Sequence, residues 1–204
     1  LLHFLLAPEQ QPVSLSGGQD NETRQQKKPR RDKRLDTMSL SGQPILAFER
    51  AQRHWTGLGA RQLLDQPLTA FFASRQCPGS AIRAAMDWDF EQAGARRAIV
   101  GGFHSPLEQS VLHLLLEARS PVVAVLPRPV GDARLKPAWE AAIASGCMAV
   151  VSCSTQAKRL TSEEALERNE LVALLAERVV SPMPTQVAAW TGNRLRGQAV
   201  VCRC

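Results

Sequence analysis

Four continuous apolar runs, each followed by a segment of helical periodicity, limit what this chain can fold into. They are "PLTAFFAS" (residues 67–74), "ARRAIVGG", "PVVAVLPRP" and "CMAVVS". None alternates apolar with polar residues, as a strand with one wet face would. Strands buried on both faces read this way, and they occur in parallel sheets covered by helices. The segments between them carry helix signals. Residues 78–94 have helical spacing, with Gly94 as the expected stop. "SPLEQSVLHLLLEARS" has Pro106 in its first turn, where a missing N–H costs nothing. "LKPAWEAAIASG" closes at Gly146. "TSEEALERNELVALLAER" begins with Thr161 as N-cap and Glu164 at the capping-box position. "VVSP" follows as a short last strand. The prediction is an α/β fold: a Rossmann-like parallel sheet with helices on both faces, truncated at its C-terminal side.

Upstream the pattern differs. "PILAFERAQRHWTGLGARQLLD" places Ile45, Phe48, Ala51, Gln52 and Trp55 at helical spacing, so a helix ending at Gly57 and Gly59 is expected. Residues 8–43 are rich in Gln, Ser, Gly and charge and have no apolar period. Such composition cannot offset chain entropy. Residues 1–43 are therefore expected to form a disordered basic extension, and 44–204 the folded domain. The chain does not begin with Met; Met38 opens a stretch that reads like a natural start, which makes 1–37 an expected upstream extension.

With 204 residues the chain is long enough for one sizeable core. Its net charge of +6 leans toward anionic partners, although much of it sits in "RQQKKPRRDKR" between Arg24 and Arg34. Either that run touches phosphate backbones or it is a solvated tail. The opening "LLHFLLA" is too short to span a bilayer and lacks the features of a signal peptide, so a cytoplasmic protein without membrane contact is expected. The five Cys have no C-x-x-C spacing, which argues against zinc and for reduced thiols.

Open α/β sheets bind ligands beyond the carboxyl ends of their strands. The residues just after each strand are thus the candidates: Ser74 and Arg75, then Gly101, Gly102, Phe103, His104 and Ser105, then Pro127 and Arg128, then Ser152 to Ser154. "IVGGFHSPLE" runs from a strand through two glycines into a helix N-terminus, where free N–H groups favour an anion. A tight strand-to-helix turn would read the same way. Arg75 can fork onto a phosphate or form a surface ion pair. "ERNELV" sets Arg168 and Asn169 inside a helix. Asn is a poor interior helix residue, so it implies a buried hydrogen bond or a ligand. Arg128, Lys158 and Arg159 add charge near the same edge. Glu108, in the first turn after the glycines, is a general base or a carboxylate at the helix dipole. There is no G-x-S-x-G, no H-E-x-x-H and no Cys–His pair at a motif spacing, so no catalytic residue, metal or cofactor is expected.

Taken together, residues 66–182 resemble the DNA-processing protein A family (DprA/Smf), a Rossmann-like group, in a short divergent form. "FFASRQCPGSAI" is similar to the family's first strand ending in Gly-Ser-Arg, with Ala73 where Gly is usual. "RAIVGGFHSPLEQSVL" is similar to its second strand and glycine loop, with Gly102 at the key glycine and Pro106 where a loop glycine is usual. "ERNELVALLAERVV" carries Arg168 and Asn169 at its Arg-Asn-Arg motif, with Glu170 in place of the second Arg. The resemblance implies single-stranded DNA binding at this sheet edge, a recombinase as partner and a homodimer. The site would be Ser74, Arg75, Gly101, Gly102, Phe103, His104, Ser105, Arg168 and Asn169, with backbone N–H groups holding phosphate and the two Arg supplying charge. The alternatives are a free-nucleotide sensor in the same pocket and a nucleotide N-glycosidic-bond hydrolase with Glu108 as base. The Pro-Gly-Gly-x-Gly-Thr motif of related phosphoribohydrolases is absent.

Overall fold

The computed structural model describes residues 45–155, 161–183 and 200–201. The extension expected over 1–43, Lys158, Arg159, Cys202 and Cys204 lie outside the described residues. The elements run β1 (Ile45–Arg50), β2 (Arg53–Gly59), β3 (Leu68–Phe71), α1 (Gly79–Ala95), β4 (Ala98–Gly101), α2 (Pro106–Glu117), β5 (Val122–Val125), α3 (Pro137–Ala144), β6 (Met148–Ser152), α4 (Ser162–Leu175), β7 (Arg178–Val180) and β8 (Val200–Val201).

All eight strands form one sheet in the order β1-β2-β6-β5-β4-β3-β7-β8. Its centre is parallel, as the continuous apolar runs predict: β6, β5, β4, β3, β7 and β8 pair parallel throughout. From β3 the chain steps outward through β4 and β5 to β6, then returns across the sheet to set β7 on the other side of β3. The crossovers cover both faces. Ile99, Val122 and Val150 pack with Trp88 of α1, Val111 and Leu115 of α2 and Ile143 of α3. Their neighbours along the same strands, Val100, Val123 and Val151, point the opposite way and pack with Leu171, Val172 and Leu175 of α4. Phe71 stacks on Trp88 at 5.0 Å and an interplanar angle of 16°.

The sheet is mixed rather than wholly parallel, because the segment expected to be a helix is a β-hairpin. β1 and β2 pair antiparallel with Phe48 opposite Trp55, and β2 runs antiparallel along β6. Ala51 and Gln52 form the turn with φ of 51° and 58°, the doubly left-handed geometry that matches strand twist in a two-residue hairpin loop. Phe48 and Trp55 stack at 5.9 Å and 9°, and Trp55 is fully buried. Gly57 and Gly59 do not stop a helix. They let β2 approach β6: a Cβ on Gly57 would lie 2.7 Å from the carbonyl oxygen of Val150.

α1 reaches its C-cap two residues after Gly94, at Arg96, which takes the left-handed conformation (φ 49°) and donates its N–H to the carbonyl of Ala93. Gly146 closes α3 with φ of 75°, as expected. Both capping boxes form. Thr161 and Glu164 exchange bonds at the start of α4, and Ser105 and Glu108 at the start of α2. No helix among the described residues is long and apolar enough to cross a membrane.

Candidate functional site

Beyond the carboxyl ends of β3 and β4 lies an open cleft of about 460 Å³. Residues 72–76 form one wall, the start of α2 another, and α4 closes it with Ala165, Arg168 and Asn169.

Its frame is held by Glu108. The side chain is buried, and both oxygens accept backbone N–H groups: Oε1 from Ala73 at 3.1 Å, Oε2 from His104 at 2.7 Å and from Ser105 at 3.2 Å. One carboxylate thus ties the loop after β3 to the loop after β4. Burial raises its pKa, against the lowering effect of those three bonds and of the Arg168 cation. With both oxygens occupied by fixed donors, Glu108 is a clasp, not a base open to a reacting water.

Arg168 is the unusual group. It is 5% exposed. Its Nη2 donates to Asn169 Oδ1 at 2.8 Å, which explains an Asn inside the helix. Its Nε and Nη1 are buried and have no acceptor among the described residues. An unpartnered buried donor costs roughly 1–3 kcal/mol, more on a charged group. Burial lowers the Arg168 pKa; Glu108 opposes that and the neighbouring Arg75 adds to it.

Gly102 is explained by this arginine. Its backbone is not in the left-handed region, and a Cβ there would lie 2.9 Å from both Cδ and Cζ of Arg168 and closer still to Nε. The glycine leaves room for the guanidinium; the sequence reading, a left-handed turn or a bare backbone against ligand, missed that partner.

Of the residues expected at the site, Ser74, Arg75, His104, Ser105, Arg168 and Asn169 line this one cleft. Gly101 ends β4 and Gly102 follows it; neither lines this cleft, and Gly102 borders the neighbouring hollow. Phe103 departs from expectation. Its φ of 50° turns the ring into the core over Gly101, where a Cβ would meet ring carbons at 3.0–3.3 Å. The Ser74 hydroxyl accepts the Gln76 N–H at 3.3 Å, and the Ser105 hydroxyl caps α2, so each has a structural partner already.

His104 reads the electrostatics. Desolvation, then the Arg168 cation, and further Arg128 and Arg75 hold its pKa down to about 4, while a bond with the Phe103 backbone opposes them. Three arginines from three loops and helices therefore bear on one imidazole. Among the described residues no group of three His, Cys, Asp or Glu side chains is placed to hold a metal ion.

Sequence reasoning gave no role to Trp139, a half-buried residue of α3, or to Asp89. The Asp89 carboxyl lies inside α1's packing at 1% exposure with neither oxygen hydrogen-bonded. Helical spacing to Ala85 and Gln92 was the available signal for its burial.

No protein-family model matches the chain, and no curated protein sequence matches it. Solved structures do. DNA processing protein A from Helicobacter pylori, described for its single-stranded DNA binding mode, superposes with a TM-score of 0.61 at 15% identity, over 80% of this chain and 82% of that one. DNA processing protein A from Streptococcus pneumoniae superposes with a TM-score of 0.60 at 16% identity, over 80% of this chain. The match spans 64% of the S. pneumoniae chain. The fold is DprA-like.

Proposed function

We propose that the cleft between the β3 and β4 loops and α4 binds the backbone phosphate of a single-stranded nucleic acid, DNA in the first instance, and that the protein serves in DNA processing. One observation carries the reading: a guanidinium 95% withdrawn from solvent, lining an open cleft, with two N–H donors unused. A buried cation with two donors unmet is costly, and phosphate oxygens supply charged acceptors for such donors. Arg75 is exposed at the rim to meet the same anion, Ser74, His104, Ser105 and Asn169 shape the surface around it, and Gly101 and Gly102 belong to the same proposed site through the loop after β4. The DprA-like fold supports the choice of a nucleic acid. A recombinase that takes over the strand, and a homodimer, belong to the same proposal through the resemblance.

The free-nucleotide reading uses the same cleft and is separated by competition. Labelled oligo(dT) is bound, and unlabelled dTMP or oligo(dT) is added at equal phosphate concentration. Displacement only by the oligonucleotide supports the strand reading; equal displacement by dTMP overturns it. The hydrolase reading has less support, because it needs Glu108 as a base and Glu108 is engaged by three backbone donors.

A further inference from the structure

Three hollows adjoin the cleft: one of about 650 Å³ shares Ser74, Arg75 and Gln76 with it and adds no further cation among the described residues, and the other two differ in charge. Arg168 also lines a hollow of about 240 Å³ beside Cys153, Ser154 and Thr155, and that hollow presents Glu164 and Glu167. His104 instead borders a second hollow of about 280 Å³ between α2 and the segment 126–139. There Leu112, Leu116 and Trp139 offer an apolar wall, with Arg128 and Lys136 at the rim. No carboxylate is among the described residues that line it. Arg128 and Lys136 are exposed, and neither has an ion-pair partner among the described residues.

From this contrast we infer that the single strand, having set one phosphate at Arg168, passes over His104 and stacks its next base on Trp139, with the following phosphate held by Arg128 and Lys136. The inference rests on the proposed strand binding and adds a direction to it. A polyanion leaving the cleft is repelled by Glu164 and Glu167 on one side and attracted by two unpaired cations on the other. Trp139 is half-buried: it packs against the core cluster and also lines this hollow. Stacking on an aromatic ring tolerates any base, because each has a π-face. His104 is the hinge of the path: it lines both the cleft and this hollow.

The test compares oligo(dT) with an abasic oligonucleotide of equal length, which keeps the phosphates and lacks the bases. The proteins are the wild-type chain, Trp139→Ala, Trp139→Phe, Arg128→Ala/Lys136→Ala and Arg168→Ala, each checked for folding by circular dichroism. The wild-type protein should prefer oligo(dT), and Trp139→Ala should weaken oligo(dT) roughly 5- to 100-fold while leaving abasic binding unchanged. Trp139→Phe should retain most of the affinity but lose the tryptophan quenching that oligo(dT) causes. The double variant, altered only at exposed positions, should lower the magnitude of the log K against log salt slope by roughly 0.7, the one phosphate that the two cations hold on a single strand. A folded Trp139→Ala that keeps the base preference, or a double variant with an unchanged slope, overturns the path. If Trp139→Ala does not fold, the quenching and the double variant decide. If Arg168→Ala binds both oligonucleotides as the wild type does, the phosphate site itself is wrong, a result distinct from failure at Trp139.

Discussion

Replacing Gly102 by Ala separates binding from folding. The backbone there tolerates an L side chain, since Gly102 is not among the residues with positive φ. The new methyl would lie 2.9 Å from Arg168 Cδ and Cζ, half an ångström short of ordinary contact at 3.4 Å, and closer still to Nε. The guanidinium must therefore move, and the 2.8 Å bond to Asn169 Oδ1 that fixes it must stretch or break. For stability the terms oppose one another: burying a methyl contributes about 0.8 kcal/mol, and overpacking costs about 1–3 kcal/mol. The expected net loss is about 1 kcal/mol, a few degrees in Tm. For binding nothing compensates. A charge-assisted hydrogen bond of about 1.5–3 kcal/mol is lost, roughly 10- to 150-fold in affinity for oligo(dT). Fluorescence anisotropy measures the affinity and a thermal melt the stability. A double-mutant cycle sharpens the result: in an Arg168→Ala background, Gly102→Ala should change the affinity no further. A folded Gly102→Ala that binds as the wild type does would refute the reasoning. So would an equal loss in the absence of Arg168.

Three further outcomes concern the titratable groups Asp89, Glu108 and His104. Burial raises the Asp89 pKa from 3.8 to about 7, so the folded state holds this proton more tightly than the unfolded chain; stability should be greatest below pH 4 and decline as pH rises through 7, by at most about 4 kcal/mol from this group. Urea melts at pH 5 and pH 8 should show that decline, and Asp89→Asn should remove it; a wild-type curve with no such component contradicts the burial. Glu108→Ala leaves three N–H donors without their acceptor and should cost about 3 kcal/mol or more in a urea melt, with Glu108→Gln in between; near-neutral values would mean that the two loops are held some other way. A bound phosphate offsets the arginines around His104, so NMR titration of its ring should show the pKa rising from about 4 toward 6.5 with oligo(dT), and no shift would place the anion elsewhere.

The parallel half of the sheet was legible because residues such as Ile99, Val100 and Val123 are apolar on both faces, which only a doubly covered strand requires. The capping box of α4 was legible because Thr161–Glu164 is a local pattern, whereas the one at Ser105 and Glu108 was not read. The hairpin was not. Its turn uses Ala51 and Gln52 where Asn-Gly would have announced it, and Gly57 and Gly59 mimic helix stops while serving a contact with β6. At the site, strand ends and helix starts pointed to loops that the structure brings together around one cleft, but not to the partners. That Gly102 makes room for Arg168, or that Glu108 joins the loops after β3 and β4, depends on chain segments far apart in sequence. Phe103 was misplaced because one left-handed residue sends its ring into the core instead of the cleft.

The central claim is that Arg168 meets a strand phosphate. Titration of oligo(dT) into the wild-type chain and into Arg168→Ala, at several salt concentrations, tests it most directly. The account predicts that Arg168→Ala remains folded, because it sheds a buried cation with two unused donors, while binding weakens for every sequence tried. The magnitude of the log K against log salt slope should fall by roughly 0.7, one phosphate contact on a single strand. An Arg168→Ala protein that loses stability and keeps the wild-type slope would contradict the account and make the arginine a structural residue.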